Sequence, residues 1–408
     1  ESAPRYHARE VAQQRARIEQ IPLVLGSATP SLETWYRAQR GEYVLVGLPK
    51  RIANLPLPDV RTVDLREPRR TAETRGVVTR QLHMAIEEAL NDGGQVILLL
   101  NRRGFATHVQ CPACGNVLQC PHCDISLTHH KMVGRAICHY CDYEIETPRQ
   151  CPHCGSPRIR FSGVGTERLE AEIKARFPQA TCLRMDADSM RSRLAYERAF
   201  AEFRQGRVQI LLGTQIIAKG LDFPNVRLVG VVNADTALHF PDFRASERTF
   251  QLVTQVAGRT GRGPRGGQVL VQTFTPEHPA IQAAIRHDYE TFARQELQVR
   301  QTFSYPPFWH LIRIVVSSEN EKTSEQCIRQ FADCVEEIVK TAGWQDKIRL
   351  IGPAPAPLAK LRGKYRYHLQ VMGESQSSLR QVIGSARQRF SSSQTVTWAI
   401  DVDPIDML

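Results

Sequence analysis

Apolar positions recur at helical spacing from Arg5 to Ile18 and then close up into the unbroken run Pro22 to Leu25. The pattern predicts a helix followed by a short apolar strand, which empties into the small-residue loop Gly26-Ser27-Ala28-Thr29-Pro30-Ser31, a typical position for a site. Between Gly41 and Arg75 the mixed charges and Pro49, Pro56, Pro58 and Pro68 erase any period, so that stretch reads as a connection between lobes. Regularity returns with Leu82, Ile86, Ala89 and Leu90 at helical spacing; Gly93-Gly94 ends that helix before the wholly apolar strand Val96 to Leu100. A cysteine-rich segment interrupts the alternation. It then resumes with a helix over Glu167 to Phe177, strands at Val208 to Leu212 and Val226 to Val232, a helix over Ser246 to Ala257 and a strand at Gln268 to Phe274. Strands separated by helices predict an α/β lobe with a parallel sheet covered on both faces. Beyond Pro276 come a helical stretch, the turn-rich Ser304 to Phe308, a β run at Leu311 to Ser317, a helix near Glu325 to Thr341 and further strands, a pattern that predicts a separate α+β domain.

Composition narrows the picture only modestly. With 408 residues and 42% apolar content, two or three cores are expected rather than one. Lys and Arg number 53 against 42 Asp and Glu, a net charge of +11 that suits a nucleic-acid binder without proving one. Apolar runs such as Val96 to Leu100 are far too short to span a membrane. The opening residues lack a secretory signal pattern, and Glu1 leads straight into helix-like sequence, so a truncated start and a cytosolic setting are the expectation.

The cysteines change the picture more. Eight of the 11 fall in four Cys-x2-Cys pairs between Cys111 and Cys154, whereas Cys182, Cys327 and Cys334 are scattered as core thiols. Paired spacing points to metal and a reducing compartment, and two zinc ions in all-cysteine tetrahedral sites account for every paired thiol. Five residues separate the first two pairs, tight for one ion, so a nested arrangement is expected. Cys120, Cys123, Cys138 and Cys141 hold one zinc; Cys111, Cys114, Cys151 and Cys154 hold the other. Four protein ligands leave no open position, which makes both sites structural. His122, His129, His130, His139 and His153 then read as surface or nucleic-acid-facing groups.

From Gln251 to Gly263 the chain reads Gln-Leu-Val-Thr-Gln-Val-Ala-Gly-Arg-Thr-Gly-Arg-Gly. Arg259 and Arg262, three apart at a helix end among the glycines Gly258, Gly261 and Gly263, suit the charge that builds on a transferring γ-phosphate. This string resembles motif VI of superfamily 2 helicases. Gly213-Thr214-Gln215-Ile216-Ile217-Ala218-Lys219-Gly220-Leu221-Asp222-Phe223 resembles their motif V, and Gly26 to Ser31 their Ser-Ala-Thr motif III. Narrower signals are Asn101-Arg102-Arg103-Gly104-Phe105 ahead of the cysteines, Gly163-Val164-Gly165-Thr166-Glu167, and Gly352-Pro353-Ala354-Pro355-Ala356-Pro357-Leu358. Together they resemble the primosomal replication-restart helicases.

That resemblance implies a RecA-like second helicase lobe at 76–275, interrupted by a zinc insertion at 107–160. A remnant of the first lobe would occupy 1–40, the connection 41–75 and a C-terminal DNA- and partner-binding domain 276–408. It implies an ATP-dependent 3′-to-5′ DNA helicase that recognises stalled forks and D-loops and starts primosome assembly, a bacterial, nucleoid-associated monomer without membrane contact. Its partners would be single-stranded and forked DNA, single-strand-binding protein, PriB and DnaT. By the same resemblance Arg259, Arg262 and Gln255 serve ATP. Gly26, Ser27, Ala28, Thr29, Gly213, Thr214, Gln215, Lys219, Gly220 and Asp222 couple ATP to DNA, and Tyr6, Phe105 and Phe243 are candidates for base stacking.

One departure stands out. The sole Gly-Lys pair, Gly363-Lys364, is followed by Tyr365, and no Asp precedes Glu anywhere, so the phosphate loop and the magnesium-holding acidic box are both missing. In the family they precede the Arg5 to Arg9 segment, so ATP and Mg2+ are cofactors expected of the intact protein only, and these 408 residues alone are expected not to hydrolyse ATP. The competing readings are a zinc-ribbon DNA-binding or scaffold protein without motor activity and another superfamily 2 helicase of RecQ-like or fork-reversal type.

Overall fold

The computed structural model describes all residues except 1–5, 49–55, 66–75, 101–107, 111–117, 119, 122–126, 131–134, 138–142, 158–159, 163–165, 187–188, 191, 215–222, 239–241, 261–265, 391–394, 406 and 408. In chain order the elements begin with α1 (Ala8–Glu19), α2 (Leu32–Gln39), β1 (Asp59–Asp64), α3 (Arg80–Asn91) and β2 (Gln95–Leu100). Five short strands follow in the cysteine-rich segment: β3 (His108–Gln110), β4 (Thr128–His130), β5 (Arg135–Ile137), β6 (Glu144–Glu146) and β7 (Arg160–Ser162). The α/β alternation continues with α4 (Thr166–Arg176), β8 (Cys182–Met185), α5 (Arg193–Arg204), β9 (Ile210–Gly213), β10 (Val226–Asn233), α6 (Asp235–Leu238), α7 (Ala245–Ala257) and β11 (Gln268–Thr273). Last come α8 (Pro279–Ile285), α9 (Tyr289–Thr302), β12 (His310–Ser318), α10 (Glu321–Thr341), β13 (Ile348–Leu361), β14 (Lys364–Gly373), α11 (Gln376–Arg389) and β15 (Thr397–Val402). These elements form two compact units, one of residues 45–298 with 357–364, the other of residues 1–44, 299–356 and 365–408.

The first unit is built on a six-stranded sheet in the order β1-β11-β10-β2-β9-β8, parallel at every pairing. Its central strand β2 is apolar on both faces. Val96, Leu98 and Leu100 join Leu82 and Ile86 of α3 and Leu169 and Ile173 of α4 in one core. Ile97 and Leu99, directed to the opposite face by the two-residue period, are buried as well. Helix α5 packs against β8, and α7 against β10 and β11. A buried amide ties the sheet to the start of α3. Gln272 Nε2 donates to the carbonyl oxygens of Val77 and Val232, both at 2.8 Å, while its Oε1 accepts from the Thr79 amide at 3.0 Å and hydroxyl at 2.7 Å. Thr79 in turn caps α3, accepting from the Leu82 amide at 3.3 Å. The cysteine-rich segment forms its own antiparallel sheet in the order β6-β5-β4-β3-β7.

The second unit carries an antiparallel sheet in the order β13-β14-β12-β15. One face of it packs on α10 and α11: Ile312, Ile314 and Val316 of β12 and Leu369 and Val371 of β14 meet Ile328, Phe331, Val335, Leu379 and Val382. Apolar positions three and four apart on α10, namely Cys327, Ile328, Phe331, Val335 and Ile338, produce the stripe that this sheet buries.

Two sequence expectations are corrected. Residues Pro22 to Leu25 are not a strand: they run extended and exposed, Val24 at 90%, with no strand beside them among the described residues. A strand needs a neighbour to take its amide and carbonyl groups, and a local apolar run cannot supply one. Conversely, the stretch read as a connection contains β1, an edge strand in parallel register with β11 from Asp59↔Gln268 to Asp64↔Thr273. Only Val60 and Val63 of β1 are buried, which leaves a pattern too polar to read as a strand.

Candidate functional site

Helix α7 delivers the arginine string. Phe250, Leu252, Val253, Val256 and Ala257 bury one side of it, and its exit is held by backbone bonds from Gly258 to Thr254 and from Arg259 to Val256, both 3.0 Å. The next residue fixes the position. Thr260 is fully buried and donates its hydroxyl to the Val226 carbonyl at 2.8 Å, clamping the end of α7 to the first residue of β10. Arg259 therefore leaves a rigid turn, half-buried, while Gln255 is exposed one turn earlier on α7. Arg262 lies outside the described residues.

The motif V segment begins at another place. Gly213 closes β9 opposite Leu99 of β2, and Thr214, which follows it, is buried. Val226, where Thr260 is anchored, lies opposite Gln95. Leu99 and Gln95 are four residues apart on one strand, so the Thr214 and Thr260 ends of the lobe are separated along the strands by about 13 Å. Gln215, Lys219, Gly220 and Asp222 lie outside the described residues.

In the other unit the Ser-Ala-Thr loop is held by its own hydroxyls. Ser27 Oγ accepts from the Thr29 amide at 3.1 Å, Thr29 is buried, and Ser31 caps α2 by accepting from the Thr34 amide at 3.3 Å. Arg9 of α1 donates to Ser31 Oγ and, at 2.9 Å, to Thr34 Oγ1. Gly26 and Ala28 are exposed in this loop. Of the stacking candidates, Tyr6 is exposed, Phe105 lies outside the described residues, and Phe243 is half-buried with the Arg244 guanidinium 4.1 Å from its ring centre.

A charged cluster that residue type alone does not single out supports α4. Asp186, at the end of β8 and with no exposed surface, accepts from the Thr166 hydroxyl and, at 2.8 Å, from the Ser189 amide. Arg184 bridges Glu167 at 3.2 Å, Glu170 at 3.4 Å and Asp186 at 3.5 Å. Thr166 and Glu167 end the Gly163 to Glu167 motif, and the network holds them against β8. The motif was the available signal; its partners, some 20 residues away, were not.

The cysteines fit metal ligation as far as they are described. Cys120 is 4% exposed, packed with Leu127 and Ala136 and flanked by Leu118, Tyr143, Ile145 and Leu361. Cys151 is buried and Cys154 exposed at a tight turn, in which the Gly155 amide donates to the Cys151 carbonyl at 2.9 Å and the Cys151 amide to the Ser156 carbonyl at 2.8 Å. Gly155 has φ +71°, a left-handed conformation that favours glycine and lets the chain fold back directly after the second thiol. A tight turn after a Cys-x2-Cys pair is in keeping with the paired spacing that structural zinc sites use. Cys111, Cys114, Cys123, Cys138 and Cys141 lie outside the described residues. Cys182 is different: burial, and then Glu170 nearby, push its thiol up to about 12, which makes it an inert core group. No described helix is long and apolar enough to cross a membrane.

Comparison with known families places three signatures along the chain. Residues 120–145 match the PriA DNA helicase Cys-rich region, 163–264 the helicase conserved C-terminal domain, and 301–405 the primosomal protein N C-terminal domain. The chain is 42% identical over 411 aligned residues to replication restart protein PriA of Bacillus subtilis, covering 100% of this chain and 50% of that protein. It is 40% identical to the replication restart protein PriA of Synechocystis (99% and 49% covered) and 40% identical to that of Treponema pallidum (99% and 60%). The chain thus spans half to three-fifths of the length of these relatives. Among solved structures it bears a loose likeness to a Leu-to-Val variant of yeast Dbp5 bound to RNA and ADP BeF3, 12% identical with a TM-score of 0.33 over 72% of this chain and 59% of that one.

Proposed function

We propose that this chain, which belongs to the PriA family of replication restart proteins, supplies the second motor lobe, the zinc module and the C-terminal domain of an ATP-dependent 3′-to-5′ DNA helicase. The observation that carries the reading is the clamped exit of α7. Thr260 is bonded to Val226, so the backbone at Arg259 is held at a fixed point in a lobe of helicase C-terminal type. A guanidinium carried on a backbone held in this way would stabilise the charge on a γ-phosphate with little rearrangement of the lobe. ATP with Mg2+ would be bound by a neighbouring lobe carrying a phosphate loop and be completed by Arg259 and Arg262, with Gln255 reporting nucleotide state. Thr214 and Gln215 would meet the backbone of single-stranded DNA, with Gly213, Lys219, Gly220 and Asp222 coupling that contact to ATP. Gly26 to Thr29 would pass the hydrolysis state to DNA grip. The separation of about 13 Å between the Thr214 and Thr260 ends supports a division of labour between a DNA end and a nucleotide end.

Eight cysteines in the nested pairing would hold two structural zinc ions, whose binding energy folds a segment poor in large apolar side chains. Stalled forks and D-loops are the proposed substrates, with single-strand-binding protein, PriB and DnaT as proposed partners. The test is strand separation by the protein encoded by the complete gene. Forks with a 3′ single-stranded tail should be opened in an ATP-dependent manner, and those with only a 5′ tail should not. DNA binding without ATP-dependent opening of either would favour the zinc-ribbon scaffold reading instead.

A further inference from the structure

Helix α2 begins directly after the Ser-Ala-Thr loop, and an ion pair to a buried arginine joins it to the helix that leads into the C-terminal sheet. Arg300, in the last turn of α9, is 1% exposed, and its Nη1 stands 3.5 Å from Oε1 of Glu33 in the first turn of α2. The same nitrogen donates to the Pro306 carbonyl at 3.4 Å. A second tie lies on the same helix, where the Tyr36 ring meets Phe308 at 4.9 Å between centroids. Taking a guanidinium out of water is costly, and an apolar side chain would hold two helices together without that cost. What an ion pair adds is a preferred orientation: sliding or turning α2 on α9 separates the buried Arg300 guanidinium from the Glu33 carboxylate. Upstream, Ser31 caps α2 and is itself gripped by Arg9, so the orientation of α2 carries over to Ser27 and Thr29.

We infer that Arg300 is a positioning residue that fixes the Ser27 to Thr29 loop to the C-terminal domain through Glu33, so that the loop keeps one geometry during hydrolysis. The inference rests on the motor function proposed above. Without the pair, the motor still binds DNA and ATP and still hydrolyses, but each hydrolysis moves less DNA.

The experiment uses the protein encoded by the complete gene and measures ATP consumed per base pair opened, together with the dissociation constant for single-stranded DNA and KM for ATP. Arg300→Met should raise ATP consumed per base pair at least about fivefold, while leaving DNA affinity and KM within about twofold. Arg300→Lys, which keeps the charge, should recover most of the coupling. Glu33→Gln removes the charge and keeps the shape; it should uncouple in the same direction, and it carries the test if Arg300→Met folds poorly. Hydrolysis and opening that decline in parallel, with ATP per base pair unchanged in both Arg300→Met and Glu33→Gln, would overturn the inference and leave the motor reading intact. A wild-type protein that shows no DNA-stimulated hydrolysis would overturn the motor reading, and the inference with it.

Discussion

Gln272 offers the sharpest check on how the helicase lobe is assembled. Its side chain has no exposed surface and all its bonds go to protein: two carbonyls, Val77 and Val232, and the amide and hydroxyl of Thr79. Gln272→Leu keeps the volume but strands the two carbonyls and the Thr79 amide, while the Thr79 hydroxyl can turn to another acceptor. Orphaned buried backbone groups cost about 1–3 kcal/mol each before relaxation, so a net loss of roughly 2–4 kcal/mol is expected. For a lobe of this size that lowers the midpoint of thermal unfolding by roughly 5–15 °C, readable by circular dichroism or scanning fluorimetry. Gln272→Glu should be at least as damaging, because a carboxylate accepts from Thr79 yet cannot donate to the two carbonyls. If both variants melt within about 1 °C of wild type, the amide is not what ties β11 to the start of α3, and the reasoning fails.

Other consequences can be measured separately. Burial, together with the neighbouring Arg313 and Arg366, lowers the pKa of His368 to about 4, against an ordinary 6.5. Its folded-state pKa lies below the unfolded value, so its share of stability is complete above about pH 6.5 and is lost as pH falls through that value towards 4. His368→Gln should flatten the stability profile in that window, and an unchanged acid slope would refute the assignment. Cys182, with its thiol pushed up to about 12, should resist alkylation at pH 8 in the folded protein and react once the protein is denatured; rapid labelling in the native state would contradict its burial. Titration with an organomercurial in the presence of a metallochromic dye should release about two zinc ions per chain, with loss of protease resistance across the cysteine segment. Release of a single ion would refute the nested eight-cysteine arrangement.

Legibility in the sequence followed the range of the interactions involved. Apolar strands in the middle of the sheet, such as Val96 to Leu100 and Val226 to Val232, announced themselves because both of their faces are buried. The edge strand β1 did not, because half of its side chains face water, and Pro22 to Leu25 misled because a strand is defined by a neighbour and not by its own composition. The family resemblance and the α/β class, read from the motifs and the alternation, agree with the family comparisons and the parallel sheet. What could not be read were the long-range polar pairings. Gln272 and Thr79 are 193 residues apart, and nothing about an arginine between Val299 and Gln301 indicates that it will be buried and paired with Glu33. The grouping of residues 1–44 with the C-terminal domain is of the same kind, since it depends on pairings such as that one.

The central claim is that Arg259, set by the Thr260 clamp, acts together with Arg262 on a γ-phosphate. The most direct measurement is single-turnover ATP hydrolysis by the protein encoded by the complete gene, with saturating single-stranded DNA, for wild type and for Arg259→Ala and Arg262→Ala. Each substitution should slow the chemical step by a factor on the order of 10³ while nucleotide and DNA affinities stay close to wild type. Hydrolysis at the wild-type rate in both variants would contradict the account.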